Sequence, residues 1–252
     1  MKLSPTERFT SRVEAYVKYR PTYPKEIIDY LKMESGLKSE SIIADIGSGT
    51  GILTKLFLDN GNKVYGIEPN KSMRETAENY LKGYKNFISI NGKAEATTLE
   101  PACVDFIIAG QAFHWFESFS TKKEFKRVAR QHCKAVLIWN DRDTENDPFQ
   151  IEYEAVLNTL PEYVEVTHKN IDEEKISSFF SPSRFNTAVF CHFQILDFES
   201  LMGRLLSSSY CPDEKSEHFE RIKNELHVIF MRHQENGFIH FNYKTMLYLT
   251  EM

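Results

Sequence analysis

Asp45 stands two residues before the first of three glycines on alternate positions, Gly47, Gly49 and Gly51, with apolar chain on both sides. Glycine at every second place removes the β-carbons where a backbone must turn sharply and come close to a ligand. The chemistry of this spacing is the cradling of something flat and large. Asp45 places negative charge at the turn, where a pyrophosphate is repelled and a cationic ligand is not. Further along, Glu68 closes an apolar run and suits a ribose diol. Ala94-Glu95 and Gln111-Ala112-Phe113-His114-Trp115 follow two more such runs. His114 offers acceptor contact or a general base, and Trp115 an aromatic face for a cation. Each also has a purely structural reading, His114 as a histidine holding its loop and Trp115 as core.

The elements that must position these residues alternate in type. A strand over 42–46 feeds the glycine turn and a helix of about 51–60, which Asn60-Gly61 stops. A strand over 63–67 leads to Glu68-Pro69-Asn70, with Asn70 capping a helix through Tyr80. Strands follow over 86–91 and 104–109, then a helix of about 120–130 and a strand over 133–140. This alternation predicts a parallel sheet with helices on both faces. In such a sheet, ligands bind beyond the carboxyl ends of the strands, where the winding reverses. All the residues above fall at such ends and should line one crevice.

Before this core, residues 6–18 read as a helix, Arg20-Pro21-Thr22-Tyr23-Pro24 breaks the pattern, and a second helix spans about 24–34. From Asp141 the texture becomes polar and acidic. A helix near 147–158, mixed structure to about 183, a strand over 185–197, helices over 198–207 and 213–234, and a last strand from 237 complete the chain.

Composition narrows the class. The chain has 252 residues, 41% hydrophobic and 27% charged, in the range of ordinary globular proteins. A net charge of −5 and a pI near 5.9 argue against generic attraction to nucleic acid. The run Lys122, Lys123, Lys126, Arg127, Arg130 has the spacing of a solvated helix face. Cys103, Cys133, Cys191 and Cys211 show neither zinc-ligand nor disulfide-framework spacing, so reduced thiols and no metal are expected. Neither a signal peptide nor a run of about 20 apolar residues is evident, and a cytoplasmic location away from membranes is the default expectation.

A dinucleotide-binding turn needs G-x-G-x-x-G, and Ile52 or Thr54 stands where its third glycine belongs. The pattern Asp45, Gly47, Gly49, Gly51 instead resembles the first motif of class I S-adenosylmethionine-dependent methyltransferases, over about residues 8–140. The resemblance implies a Rossmann-like sheet of seven mostly parallel strands, with helices on both faces and an antiparallel last strand. It also implies that Glu68 holds the ribose hydroxyls, that Ala94 and Glu95 border the adenine, and that Pro69, Met73, Gln111 and Ala112 belong to the same cofactor site. A narrower likeness, to trans-aconitate methyltransferase-like proteins, rests on Tyr16 to Pro24 and on Gln111 to Trp115. It implies that Tyr16 and Arg20 close over the methionine end of the cofactor, Arg20 through its carboxylate.

The expected layout is one domain over 1–252. Its core is 36–140 with 185–197 and 237–252, its lid 1–35, and its cap the insertions 141–184 and 198–236. The expected activity is methyl transfer to a small-molecule acceptor, a carboxylate or hydroxyl, yielding S-adenosylhomocysteine. His114, Trp115 and Tyr210 are the candidates for acceptor contact, although Ser207 to Tyr210 also reads as a plain helix-terminal turn. A non-catalytic cofactor-binding regulatory or assembly protein is the alternative. A nucleic-acid methyltransferase is disfavoured by the charge and by the lack of an N/D-P-P-Y/F motif. The oligomeric state is left open.

Overall fold

A computed structural model describes residues 17–116, 118–166 and 173–252. After helix α1 (Glu26–Ser35), the alternating part runs β1 (Ile42–Ile46), α2 (Ile52–Asp59), β2 (Lys63–Ile67), α3 (Lys71–Tyr80), β3 (Phe87–Ile90), β4 (Val104–Gly110), α4 (Ser118–Val128) and β5 (Ala129–Arg142). Then come α5 (Pro148–Leu157), α6 (Pro161–Val166), α7 (Glu173–Phe180), β6 (Phe185–Leu196), α8 (Phe198–Leu206), α9 (Glu217–His233) and β7 (Ile239–Glu251).

The seven strands form one sheet in the order β3-β2-β1-β4-β5-β7-β6. β1 to β5 pair in parallel, and β7 lies antiparallel between β5 and β6. Six strands therefore share a direction and the last opposes them, the arrangement that the sequence predicts. β1 is almost wholly buried, as its β-branched run Ile42-Ile43 and Ile46 requires of a central parallel strand. Side-chain caps fix the helix starts: Asn70 accepts from Met73 N at 3.0 Å, and Asp197 accepts from Ser200 N at 2.7 Å.

Apolar residues gather in three places. One cluster, with Ile27, Leu31, Phe57, Ile108 and Ile138, fills one face of the sheet. A second, with Phe113, Phe125, Phe179 and Trp139, fills the other. The third joins α5, α6, α8 and α9 to Leu196, Ile239, Phe241 and Tyr243. These strand residues lie where β6 and β7 run on past the end of β5, since Arg142 pairs with Tyr243 and residues before it pair with β6 alone. The inserted helices thus pack on a projecting two-stranded ribbon and form a lobe with its own core.

One shifted boundary bears on the cavity. β5 was predicted to end at Asn140, yet it continues to Arg142, because β7 supplies an antiparallel partner as far as Tyr243. The polar text of Asp141 and Arg142 conceals this extension. Among the described residues, no helix is long and apolar enough to cross a membrane.

Candidate functional site

The winding direction of the sheet reverses between β1 and β4, and there a cavity of about 330 Å³ opens beyond their carboxyl ends. Its floor is the glycine turn. Gly47, Gly49 and Gly51 all have positive φ, from 56° to 84°, a region costly for other residues. Their surroundings differ. A β-carbon on Gly47 would fall 2.7 Å from that of Ala112, and one on Gly51 would fall 2.7 Å from Leu81, so both are kept small by the fold. One on Gly49 would meet only Met73 Sδ, at 4.0 Å. Gly49 is the open member, and it lines the cavity.

Asp45, buried at the floor, accepts from Thr54 Oγ1 at 2.6 Å through Oδ2. Its Oδ1 is buried and has no hydrogen-bond partner among the described residues. Burial, opposed by the Thr54 hydrogen bond and reinforced by nearby Glu68, pushes the carboxyl up to about 7. Glu68 sits behind the turn, accepting from Gly49 N at 2.9 Å and from Asn70 N at 2.8 Å. Burial raises its carboxyl above the usual range against those two amides.

Across the cavity the wall carries Arg142 and Arg204, with the acids Asp141 and Glu154 among them. Arg142, at the end of β5, donates to Glu154 Oε2 at 2.7 Å and to the Tyr163 hydroxyl, so its charge is balanced within the lobe. Arg204, from α8, donates from Nε to the Tyr243 hydroxyl at 3.2 Å and from Nη1 to Ser208 Oγ at 3.3 Å. It is buried, lines the cavity and makes no ion pair among the described residues. Its guanidinium is held above its usual range: burial opposes the charge, but Tyr243, Tyr210 and Tyr153 around it outweigh that. A buried charge without an opposite charge is costly, and an incoming anion relieves the cost. Tyr210 lies between the two. Burial works to raise its phenol, yet the charges of Arg142, Arg204 and Arg20 hold it below the ordinary value.

The candidates read from the sequence divide into groups. Arg20, Asp45, Gly47, Gly49, Gln111 and Tyr210 line this one cavity. Gly51, Glu68, Met73 and Ala112 stand behind or beside the turn, and Pro69 follows Glu68. Ala94 is buried in the core cluster on that side, with Glu95 next to it. His114 and Trp115 occupy a short 3-10 turn, Phe113–Trp115, with their rings 4.6 Å apart, and neither lines the cavity. Tyr16 lies outside the described residues.

Arg142, Arg204, Glu154, Tyr163 and Asn140 also line the cavity and were not singled out from the sequence. For Arg204 a signal existed: it falls three residues after Leu201 and just before Leu205, on the apolar stripe of α8, where a charged residue is out of place. Arg142 carries no comparable mark.

The chain is similar to known methyltransferases. Residues 44–137 match the model of the methyltransferase domain family. An uncharacterized methyltransferase of Schizosaccharomyces pombe is 26% identical over 259 residues, covering 96% of each chain. A Dictyostelium discoideum protein with a provisional methyltransferase name is 30% identical over 186 residues, 72% of this chain and 68% of its own. In fold, the YcgJ protein of Bacillus subtilis superposes with a TM-score of 0.58 at 20% identity, over 90% of this chain and 98% of that one.

Proposed function

The chain belongs to the class I S-adenosylmethionine-dependent methyltransferases, and on that footing we propose that its acceptor is a small molecule bearing a carboxylate. The observation that carries this reading is Arg204, a buried guanidinium on the cavity wall with no acid of its own. A hydroxyl acceptor would leave that charge unanswered.

The residues present fit the cofactor. Gly49 leaves open space at the floor, and Asp45 Oδ1 is a buried acceptor able to take a hydrogen bond from an ammonium group. Arg20, also on the cavity, would bind a carboxylate at the same end. Glu68 would meet ribose hydroxyls through the remaining lone pairs of a carboxylate already fixed by two backbone amides. Bound S-adenosylmethionine supplies an electrophilic methyl group, already activated by its sulfonium.

The protein then has to orient the acceptor and exclude water. Arg204, with the Tyr210 hydroxyl beside it, would hold the acceptor carboxylate in the cavity. One carboxylate oxygen forms the new bond to the methyl carbon as the carbon–sulfur bond breaks. The electron pair stays on sulfur, giving a methyl ester and S-adenosylhomocysteine. No proton is released, so no general base is needed and His114 can stand apart. Transfer of labelled methyl groups from S-adenosylmethionine to panels of small organic acids, alcohols and amines tests this. Label in base-labile esters is expected; label confined to alcohols or amines would overturn the carboxylate assignment, and no product with any class would favour a binding protein.

A further inference from the structure

Gly203 lies within α8, where a glycine weakens the helix by about 1 kcal/mol relative to alanine. Its helix geometry is ordinary, and the reason for the missing side chain is Tyr19. A β-carbon at Gly203 would clash with the Tyr19 ring, 2.5 Å from Cζ and nearer still to Cδ2 and Cε2. The ring thus rests on the bare backbone of the helix. The residues that follow each partner, Arg20 and Arg204, are two guanidiniums of the same cavity.

A second connection runs beside the first. Arg204 Nε donates to the Tyr243 hydroxyl at 3.2 Å, and that hydroxyl donates to Gln194 Oε1 at 2.7 Å. Gln194 Nε2 in turn donates to the Tyr19 carbonyl at 3.3 Å. Arg20 Nη2 reaches back to the Ser207 carbonyl at 2.9 Å, at the end of α8. The segment carrying Arg20 is also fixed to the sheet, for Asn140 Nδ2 donates to the Thr22 carbonyl at 3.2 Å. Ring, relay and carbonyl contact therefore tie the segment before α1 to the inserted lobe, although they are some 180 residues apart in the chain.

We infer that Gly203 is a positioning residue for methyl transfer: by seating the Tyr19 ring it sets the separation of Arg20 and Arg204, and so couples the cofactor side of the cavity to the acceptor side. The coupling needs only that both side chains face one cavity, so it holds whatever group the acceptor carries. Neither Gly203 nor Tyr19 lines that cavity.

Gly203→Ala isolates the contact, because in a free helix the change would be neutral or stabilising. Calorimetric titration with S-adenosylmethionine and thermal unfolding of the unliganded protein are measured on wild type, Gly203→Ala, Tyr19→Ala and the double variant. Expected is at least tenfold weaker cofactor binding in Gly203→Ala, with a melting temperature at or above that of wild type. In the Tyr19→Ala background, where the ring is gone, adding Gly203→Ala should change the affinity by less than twofold. Wild-type affinity in Gly203→Ala would overturn the inference, as would an equal loss in both backgrounds. Loss of cooperative unfolding in Gly203→Ala would assign the glycine to helix packing alone and overturn it too.

Discussion

The two walls of the cavity have opposite character. The floor, built from the turn between β1 and α2, presents Asp45, an acid left with one unsatisfied oxygen and a carboxyl raised to about 7. The facing wall, built from the end of β5 and from α8, presents Arg142 and Arg204, with a phenol held down between them. Among the described residues, Asp45 Oδ1 has no hydrogen-bond partner and Arg204 has no ion pair. On the proposed reading, a donor with an ammonium group would answer the first and an acceptor with a carboxylate the second, which would give the one cavity two subsites.

The walls also differ in how they are held, and the largest expected effect breaks the one with the arginines. Buried Glu154 balances the half-buried Arg142. Glu154→Gln leaves that guanidinium without its charge partner, and a loss of about 3–5 kcal/mol in urea-induced unfolding is expected. A loss below about 1 kcal/mol would show that the pair does not hold the lobe.

The acidic wall should respond in the opposite sense. The Asp45 carboxyl titrates at about 7 when folded against 3.8 as the ordinary value, so between those pH values the native state holds a proton that the unfolded chain has lost. Stability from this group therefore falls as pH rises through that window, by roughly 4 kcal/mol in all, and is constant above it. Asp45→Asn removes the titration. The unliganded variant should unfold at higher denaturant than wild type at pH 8, with the advantage fading towards pH 4. Its affinity for S-adenosylmethionine should fall, since the carboxylate proposed to answer the ammonium is gone. A pH-independent difference in stability would contradict the raised carboxyl.

A smaller effect separates the glycines. Gly49→Ala meets only Met73 Sδ, at an ordinary 4.0 Å, so it should cost only about 1–2 kcal/mol of stability for the positive φ, while cofactor binding drops. Gly47→Ala, aimed at Ala112, should lose more stability in the same denaturation series.

How much of this could be read from the amino-acid sequence follows the same division. The acidic floor is local: Asp45 and the glycines lie within seven consecutive residues, and the alternating strands and helices announce where the sheet must turn. Arg20, Gln111 and Tyr210 were singled out and line the cavity, whereas His114, at a comparable strand end, is not among its lining residues. The wall with the arginines is assembled from distant pieces. Arg142 reaches the cavity only because β7 extends β5 by two residues beyond its apolar run, and Glu154 and Tyr163 join it through lobe packing. No periodicity encodes such contacts. Arg204 did leave a mark, a charge on the apolar stripe of α8, and Gly203 beside it left another, a glycine inside a helix.

The most direct test of the two-subsite cavity is kcat/KM for methylation of a carboxylic acid accepted by the wild type, measured at saturating S-adenosylmethionine in wild type and Arg204→Met. A charged hydrogen bond contributes about 1.5–3 kcal/mol, so a loss of about 10- to 150-fold is expected, carried mainly by KM, with cofactor affinity unchanged. Equal kcat/KM in the two proteins would contradict a carboxylate-binding wall.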